Sequence, residues 1–362
     1  MRARILVAVL GAVLPAALAA QTTRPRVIAG GEFYSVSFDP GLGAKTVSEF
    51  AVPLGVVIPI GRRFSFDAGT YVVNAQRTSE TDSTTSISGM TDLILRAGYQ
   101  VVPDAVALTV SVNAPTGQST LDGDQLLVAG ATATDLIPFP VTSFGSGFNV
   151  TSGLAVAVPV GGWALGAAGS YRYNGDYQPL AGDTISLTPG AEYRLRLGLD
   201  RIVGQGRVSL GVTYSTFSRD EFGVDQVNGG RRFITQASWS FPVGNNTVSL
   251  FAWDIARTAD STGPPTTTSS IPSTRENTVA LGAITSLRMG RHTLRPALEY
   301  RRSWRGETTL SGYGSLFSAG ARYFLQASDR FSVIPGLRLD VGNVTGVGLT
   351  GFSASFTVRA NL

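Results

Sequence analysis

The residue types that most often carry catalysis are scarce in this chain. It contains one histidine and no cysteine, which excludes disulfides, thiolate chemistry and a lipid-modified cysteine anchor. The histidine, His292, lies beside Arg291 in a turn between two predicted strands, with no nucleophile nearby. Acid–base and nucleophilic catalysis generally need a histidine with a partner. We therefore expect no catalytic site, no enzyme activity and no cofactor.

Acidic residues form two short clusters with the oxygen atoms that Ca²⁺ prefers. Asp122 and Asp124 make one cluster, and Asp220, Glu221 and Asp225 make the other. Neither cluster has the full ligand spacing of a calcium loop. We interpret both as solvated loop acids and predict no metal site.

Charged residues, mostly arginines, recur at alternate positions of otherwise apolar segments. Arg194 and Arg196, for example, alternate with Leu195 and Leu197. In a strand this spacing places the cations on one face and the leucines on the other. Charges that line a pore set its ion preference, although opposite charges can also pair across strands and stabilise the wall. The candidate pore-lining residues are Arg96, Arg172, Glu192, Arg194, Arg196, Arg232, Arg295, Glu299, Arg301 and Arg338.

Two-residue alternation recurs along the whole chain and predicts the strands that position these charges. Short turns rich in glycine alternate with longer polar stretches, which is typical of membrane barrels. The predicted fold is an all-β, transmembrane, antiparallel up-and-down β-barrel of about sixteen strands, including strands at 87–101 and 187–200. Because Gln125 to Asp135 could add a hairpin or a short helix, counts of about 14 or 18 stay open.

The N-terminus has the pattern of a secretory signal peptide. Arg2 and Arg4 precede an apolar stretch from Ile5 to Leu18, and small residues follow at the predicted cleavage site. The predicted organisation is a signal peptide at 1–20 and a barrel at 21–362 with a long outer loop at 115–148. The predicted location is the outer membrane of a Gram-negative-type cell.

The composition agrees with a barrel whose strands face lipid on one side and water on the other. Charged residues make up 15% of the chain, against about 25% in typical soluble domains. The net charge of +4 includes Arg2 and Arg4, and the basic residues are not grouped into runs. We therefore predict no nucleic-acid partner.

Aromatic residues near the predicted strand ends indicate contact with outer-membrane lipid. Tyr99, Trp163, Trp239, Trp253 and Tyr300 occupy such positions. Tyrosine and tryptophan favour the two membrane–water interfaces, so we expect these rings there.

The C-terminal strand predicts a further partner. Apolar residues alternate from Phe352 to the last residue, Leu362. This pattern resembles the terminal strand that the barrel-assembly machinery recognises, except that leucine replaces the commoner final phenylalanine. We expect that machinery to recognise the segment Phe352–Leu362.

The segment 115–148 is the candidate for a constriction. Phe139, Phe144 and Phe148 lie in it, close to Pro138 and Pro140. Apolar side chains in a long loop could fold inward and narrow the lumen.

Residues 89–99 and the strand that ends at Asn113-Ala114-Pro115-Thr116-Gly117 carry a family resemblance. A Gly-x-x-Asp-Leu strand ending in tyrosine, followed by a strand ending in Pro-Thr-Gly, is similar to barrels of the phenol-degradation meta-pathway, distant relatives of the fatty-acid transporters. The resemblance covers a small part of the chain. It implies passage of hydrophobic or aromatic small molecules, and it transfers no ligand residues.

Together these features predict an outer-membrane channel or porin-like transporter for passive uptake of small-molecule solutes. The alternative is a closed structural or receptor-type barrel without transport. What fills the lumen distinguishes the two.

Overall fold

The computed structural model describes residues 24–223, 225–228, 230–258, 275–307 and 309–362. The predicted signal peptide at 1–20 and its cleavage site lie outside these ranges. The described chain is mainly β-structure with one α-helix, α1 (Gly123–Thr132). The strands are β1 (Arg26–Phe38), β2 (Ala44–Ile60), β3 (Phe64–Ser79), β4 (Thr84–Met90), β5 (Leu93–Val102), β6 (Val106–Ala114), β7 (Asn149–Val160), β8 (Trp163–Asn174), β9 (Leu187–Thr188), β10 (Glu192–Val203), β11 (Gly206–Phe217), β12 (Arg219–Phe222), β13 (Asp225–Asn228), β14 (Arg232–Val243), β15 (Asn246–Arg257), β16 (Arg275–Met289), β17 (His292–Gly306), β18 (Ser311–Gln326), β19 (Phe331–Val344) and β20 (Val347–Asn361).

The main sheet closes on itself as an antiparallel barrel of sixteen strands. Closure comes from β1, which pairs with β2 on one side and with β20 on the other, from Arg26↔Asn361 to Phe38↔Leu349. β4 and β5 together form the fourth strand, because both pair with β3. The predicted fold class and the count of about sixteen are confirmed, and the helix at 123–132 resolves the open alternative.

The short connections at one end of the barrel need tight turns. At Gly204 and Gly244 the backbone has φ of 61° and 58°, a region in which a side chain is unfavourable. These residues join β10 to β11 and β14 to β15. We call this end the short-turn end and the opposite one the long-loop end.

The alternation places leucines outside and charges inside. Leu195 and Leu197 are about half exposed on the outer surface, at 50% and 53%, whereas Glu192 is buried. An apolar outer face on a closed sheet, whose strands pair on both sides, is what a lipid environment requires. Among the described residues, no helix is long and apolar enough to span a membrane.

The predicted strand 187–200 is wrong at its start. Leu187–Thr188 forms β9, which pairs with β12 in a small separate sheet that also contains β13. The barrel strand β10 begins only at Glu192. Pro189 has no N–H to donate, and Gly190 lies against the backbone of Ser218, so the chain leaves the ladder here.

The predicted strand 87–101 is interrupted. Thr91 and Asp92 separate β4 from β5. The Thr91 hydroxyl accepts a hydrogen bond from the Tyr71 backbone N–H at 3.0 Å, and the Thr91 N–H donates to the Tyr71 carbonyl at 2.8 Å. These bonds hold the irregularity and turn the Asp92 side chain into the protein.

Candidate pore and its inner wall

The predicted pore-lining residues all lie in the inward register of their strands. Arg96 is on β5, Arg172 on β8, and Glu192, Arg194 and Arg196 on β10. The remaining ones are Arg232 on β14, Arg295, Glu299 and Arg301 on β17, and Arg338 on β19.

A first charged cluster centres on the buried carboxylate of Glu192. Arg194 donates to both of its oxygens, at 2.8 and 2.9 Å, and Arg232 donates to Oε1 at 3.0 Å. Arg172 is the cross-strand neighbour of Glu192, yet neither Arg172 nor Arg196 forms an ion pair with a described residue. Glu192 therefore pairs with two of these four arginines, and this part of the wall carries excess positive charge.

A second cluster lies on β17 and β19. Glu299 binds Arg301 at 2.9 Å and approaches Arg338 at 3.6 Å. Arg338 also binds the buried Asp340 at 2.7 Å, and Asp340 accepts a hydrogen bond from the Tyr34 hydroxyl at 3.0 Å. Here the charges are matched, so this cluster mainly stabilises the wall.

The segment 115–148 folds into the barrel from the long-loop end. Its helix α1 begins at a capping box in which Asp122 and Gln125 exchange side-chain and backbone hydrogen bonds. Val128 of α1 and Ile87 of β4 share a buried cluster that also contains Phe144. Asp122 thus serves as a helix cap.

The candidate constriction residues lie in different places. Phe139 packs edge-on against Tyr34 of β1, with ring centroids 5.0 Å apart. It belongs to a buried cluster with inner-wall residues of β1, β2, β18 and β19. Phe144 is also buried, whereas Phe148, just before β7, is 45% exposed. Phe139 and Phe144 thus pack the segment against one side of the wall.

Polar contacts anchor the segment at both ends and in the middle. Asp92 accepts hydrogen bonds from the Gly117 N–H at 3.1 Å and the Ser146 N–H at 2.8 Å, which ties the two ends together. Arg301 donates to the carbonyl of Asp135 at 3.1 Å, and the Asp135 carboxylate pairs with Arg257 at 2.8 Å. The inner wall therefore binds the segment through charges as well as apolar packing.

Trp253 corrects one sequence-based expectation. It was expected at a membrane interface, but it faces the lumen, where the Arg301 guanidinium lies 5.2 Å from its ring centroid. Phe251 and Ile255 share its inward register. Both faces of β15 are apolar here, with Leu250 and Ala252 outside, so alternation alone could not assign the inner face.

One carboxylate outside the membrane-spanning segments has a shifted pKa. The backbone N–H groups of Gly41 and Gly43 donate to Glu80 at 2.7 and 2.9 Å, and these bonds hold the pKa of its carboxyl below the usual value. The contact joins the β1–β2 loop to the β3–β4 loop.

His292 and Asp220 of the second acidic cluster make contacts that stabilise the structure. His292 begins β17 at the short-turn end and stacks on Tyr323, with ring centroids 5.7 Å apart. Asp220 accepts a hydrogen bond from the Gly190 N–H at 2.6 Å. The side chain of Asp225 lies outside the described residues. No group of three potential metal ligands occurs in the described part of the chain.

Comparison with known proteins gives a similarity of fold. No family model and no curated protein matches the chain. OprB of Pseudomonas putida has a TM-score of 0.51 and 11% identity, over 93% of this chain and 94% of that one. A CymD monoaromatic hydrocarbon channel has a TM-score of 0.47 and 13% identity, over 96% and 91%. A loop-deletion mutant of OmpT, an outer membrane protein of Vibrio cholerae, has a TM-score of 0.46 and 9% identity, over 92% and 98%.

Proposed function

We propose that this chain is an outer-membrane channel through which small solutes pass passively. In this proposal a cleaved signal peptide directs export of the chain to the outer membrane of a Gram-negative-type cell. There the barrel-assembly machinery recognises the segment Phe352–Leu362. The observation that carries the proposal is the inner wall. Several of its arginines stay partly exposed, although the segment 115–148 packs against part of the same wall.

The size of the barrel supports this function. Barrels of about 16 strands are wide enough to leave an aqueous channel, whereas about 8 strands are filled by their own side chains. The side chains of Arg96, Arg194 and Arg232 keep 31%, 30% and 28% of their accessible surface. Charged side chains with that exposure inside a barrel need water around them.

Inward-facing apolar residues support solutes with a hydrophobic or aromatic part. Phe251, Trp253 and Phe324 lie in the inward register, and their rings offer apolar surface beside charged groups. This agrees with the class of solute that the sequence resemblance implies. The proposal includes no catalytic step.

Electrical recording on the refolded protein tests the proposal against a closed structural or receptor-type barrel. Stepwise conductance increases in a planar bilayer bathed in KCl are expected, because ions should cross the charged lumen. Heat-denatured protein is the control. A refolded, correctly inserted barrel that never conducts would overturn the channel and leave the closed barrel.

A further inference from the structure

A pocket of about 320 Å³ lies in the inner wall between β15 and β20. Most of the wall at its centre consists of small residues, which leave the space open. They are Ala297, Gly320, Gly336, Ser353 and Ser355.

Two arginines lie side by side at the border of the pocket nearer the short-turn end. Arg295 of β17 and Arg322 of β18 are direct cross-strand neighbours. Neither forms an ion pair with any residue that the structure describes. Glu32 of β1 lies in the same cross-strand row as Arg322, three strands away, and Arg359 adds another cation nearby. Like charges directly opposite each other repel, so an anion between them would remove an unfavourable contact.

At the opposite border of the pocket, the charged side chain of Arg338 is already paired. Arg338 is held by Asp340 at 2.7 Å and by Glu299 at 3.6 Å, and it donates to the Ser318 hydroxyl at 2.6 Å. The pocket is therefore polarised, and a negative group is favoured only beside Arg295 and Arg322.

Two aromatic rings border the same space. Phe324 lies under the Arg295 guanidinium, with 4.4 Å from Cζ to the ring centroid, which fixes the direction of that arginine. The Phe251 ring lies against Gly282, where a side chain would collide with it. Ile284 extends this apolar surface.

We propose that this pocket binds an aromatic monocarboxylate during its passage through the lumen. The carboxylate lies between Arg295 and Arg322, whose planar guanidinium groups match its geometry. The ring lies against Phe251 and Phe324. An apolar cavity of about 150 Å³ holds benzene, so the volume suffices for a benzoate-sized solute and some water. The inference rests on the proposed function, because the solute reaches the pocket through the open lumen.

Titration calorimetry on the refolded full chain tests the pocket, with benzoate, its uncharged isostere benzamide and the ring-free acetate as probes. Benzoate should bind about tenfold or more tightly than benzamide, since hydrogen bonds to a charged group carry that much free energy. Acetate should bind more weakly than benzoate. The double substitution Arg295→Gln/Arg322→Gln should weaken benzoate binding about tenfold or more.

Two further variants separate the pocket from general electrostatic attraction. Arg62→Gln/Arg63→Gln removes the same number of charges from an exposed turn at the short-turn end and should leave benzoate affinity unchanged. Ala297→Phe keeps every arginine, fills the pocket and should abolish binding, so it decides the question even where the arginine variant fails to fold. Equal affinity for benzoate and benzamide, or unchanged affinity in Ala297→Phe, would overturn the proposal.

Conductance tests the channel and benzoate binding tests the pocket, so each proposal can be refuted without the other. Channels that conduct KCl but bind no benzoate would refute the pocket and leave the channel. Benzoate binding by a barrel that never conducts would refute the channel and leave the pocket.

Discussion

The carboxylate of Glu49 on β2 accepts a 2.7 Å hydrogen bond from the backbone N–H of Val141, 92 residues further along the chain. Glu49 is buried, and its other oxygen, Oε2, has no hydrogen-bond partner among the described residues. Glu49 thus adds a polar contact to the middle of the inward-folded segment, beside those of Arg257 and Arg301 with Asp135. The free energy of that contact bears on how firmly the segment is held against the wall.

Removal of this acceptor should loosen the segment. In Glu49→Ala the Val141 N–H loses its partner inside the protein, at a cost of about 1–3 kcal/mol in local stability. We expect faster hydrogen exchange at Val141 and larger or noisier single-channel currents. Glu49→Gln keeps an acceptor oxygen and serves as the control. Unchanged exchange in Glu49→Ala would show that the apolar contacts of Phe139 and Phe144 suffice.

The outer face can be tested at Leu195. Leu195→Arg places a charge against lipid and should destabilise the folded barrel by about 2–4 kcal/mol. Arg196→Leu is the matched change on the inner face, and it breaks no ion pair because Arg196 has none among the described residues. Urea titration of the refolded variants, followed by gel mobility without heating, measures both. Equal destabilisation would mean that the assigned faces are wrong.

The excess positive charge around Glu192 should affect ion selectivity. The triple substitution of Arg172, Arg194 and Arg196 by glutamine leaves Arg232 paired with Glu192, so that carboxylate keeps a partner. The reversal potential in a KCl gradient should shift toward cation preference. The shift should shrink at higher salt, since charges are screened over about 8 Å at physiological ionic strength.

A control with the same loss of charge supports that measurement. Arg62, Arg63 and Arg330 lie exposed in turns at the short-turn end. Their replacement by glutamine should shift the reversal potential less than the triple substitution of the inner wall. An inner-wall variant that folds normally but keeps the parent reversal potential at low salt would remove these arginines from selectivity.

The contact between Glu80 and the β1–β2 loop should depend on pH. Because the folded state lowers the pKa of this carboxyl, the contact stabilises the loop at neutral pH. That stabilisation should disappear as the pH falls from 4.5, the ordinary glutamate value, through the lower folded-state value. Hydrogen exchange at Gly41 and Gly43, corrected for intrinsic rates, should rise over that range. In Glu80→Gln the exchange should not depend on pH there.

The two-residue alternation predicted most of the barrel strands from the sequence. Wherever one face is charged and the other apolar, as at Arg194 and Leu195, the two-residue period fixes both the strand and its inner face. The count of sixteen strands followed because the turns and loops differ so much in length. Where both faces are apolar, as around Trp253, the same reasoning identified the strand but not its inward face.

Two local breaks in the barrel strands depend on contacts that the alternation pattern does not show. Gly190 lies against the backbone of Ser218, and Thr91 bonds to Tyr71, and each contact reaches across to the neighbouring strand. The start of β10 and the gap between β4 and β5 could therefore not be predicted from the sequence.

The sequence by itself determined the barrel, the outer apolar face and the arginines of the inner wall, because these depend on a repeated local period. Only the tertiary structure decided how the segment 115–148 folds and which arginines stay without a counter-charge. Glu49 meets Val141 only once the segment has folded into the barrel, and Arg295 faces Arg322 only once β17 and β18 have paired in this register. Such pairings depend on strand register and loop placement, which the whole sheet sets together, and no local stretch of residues encodes them.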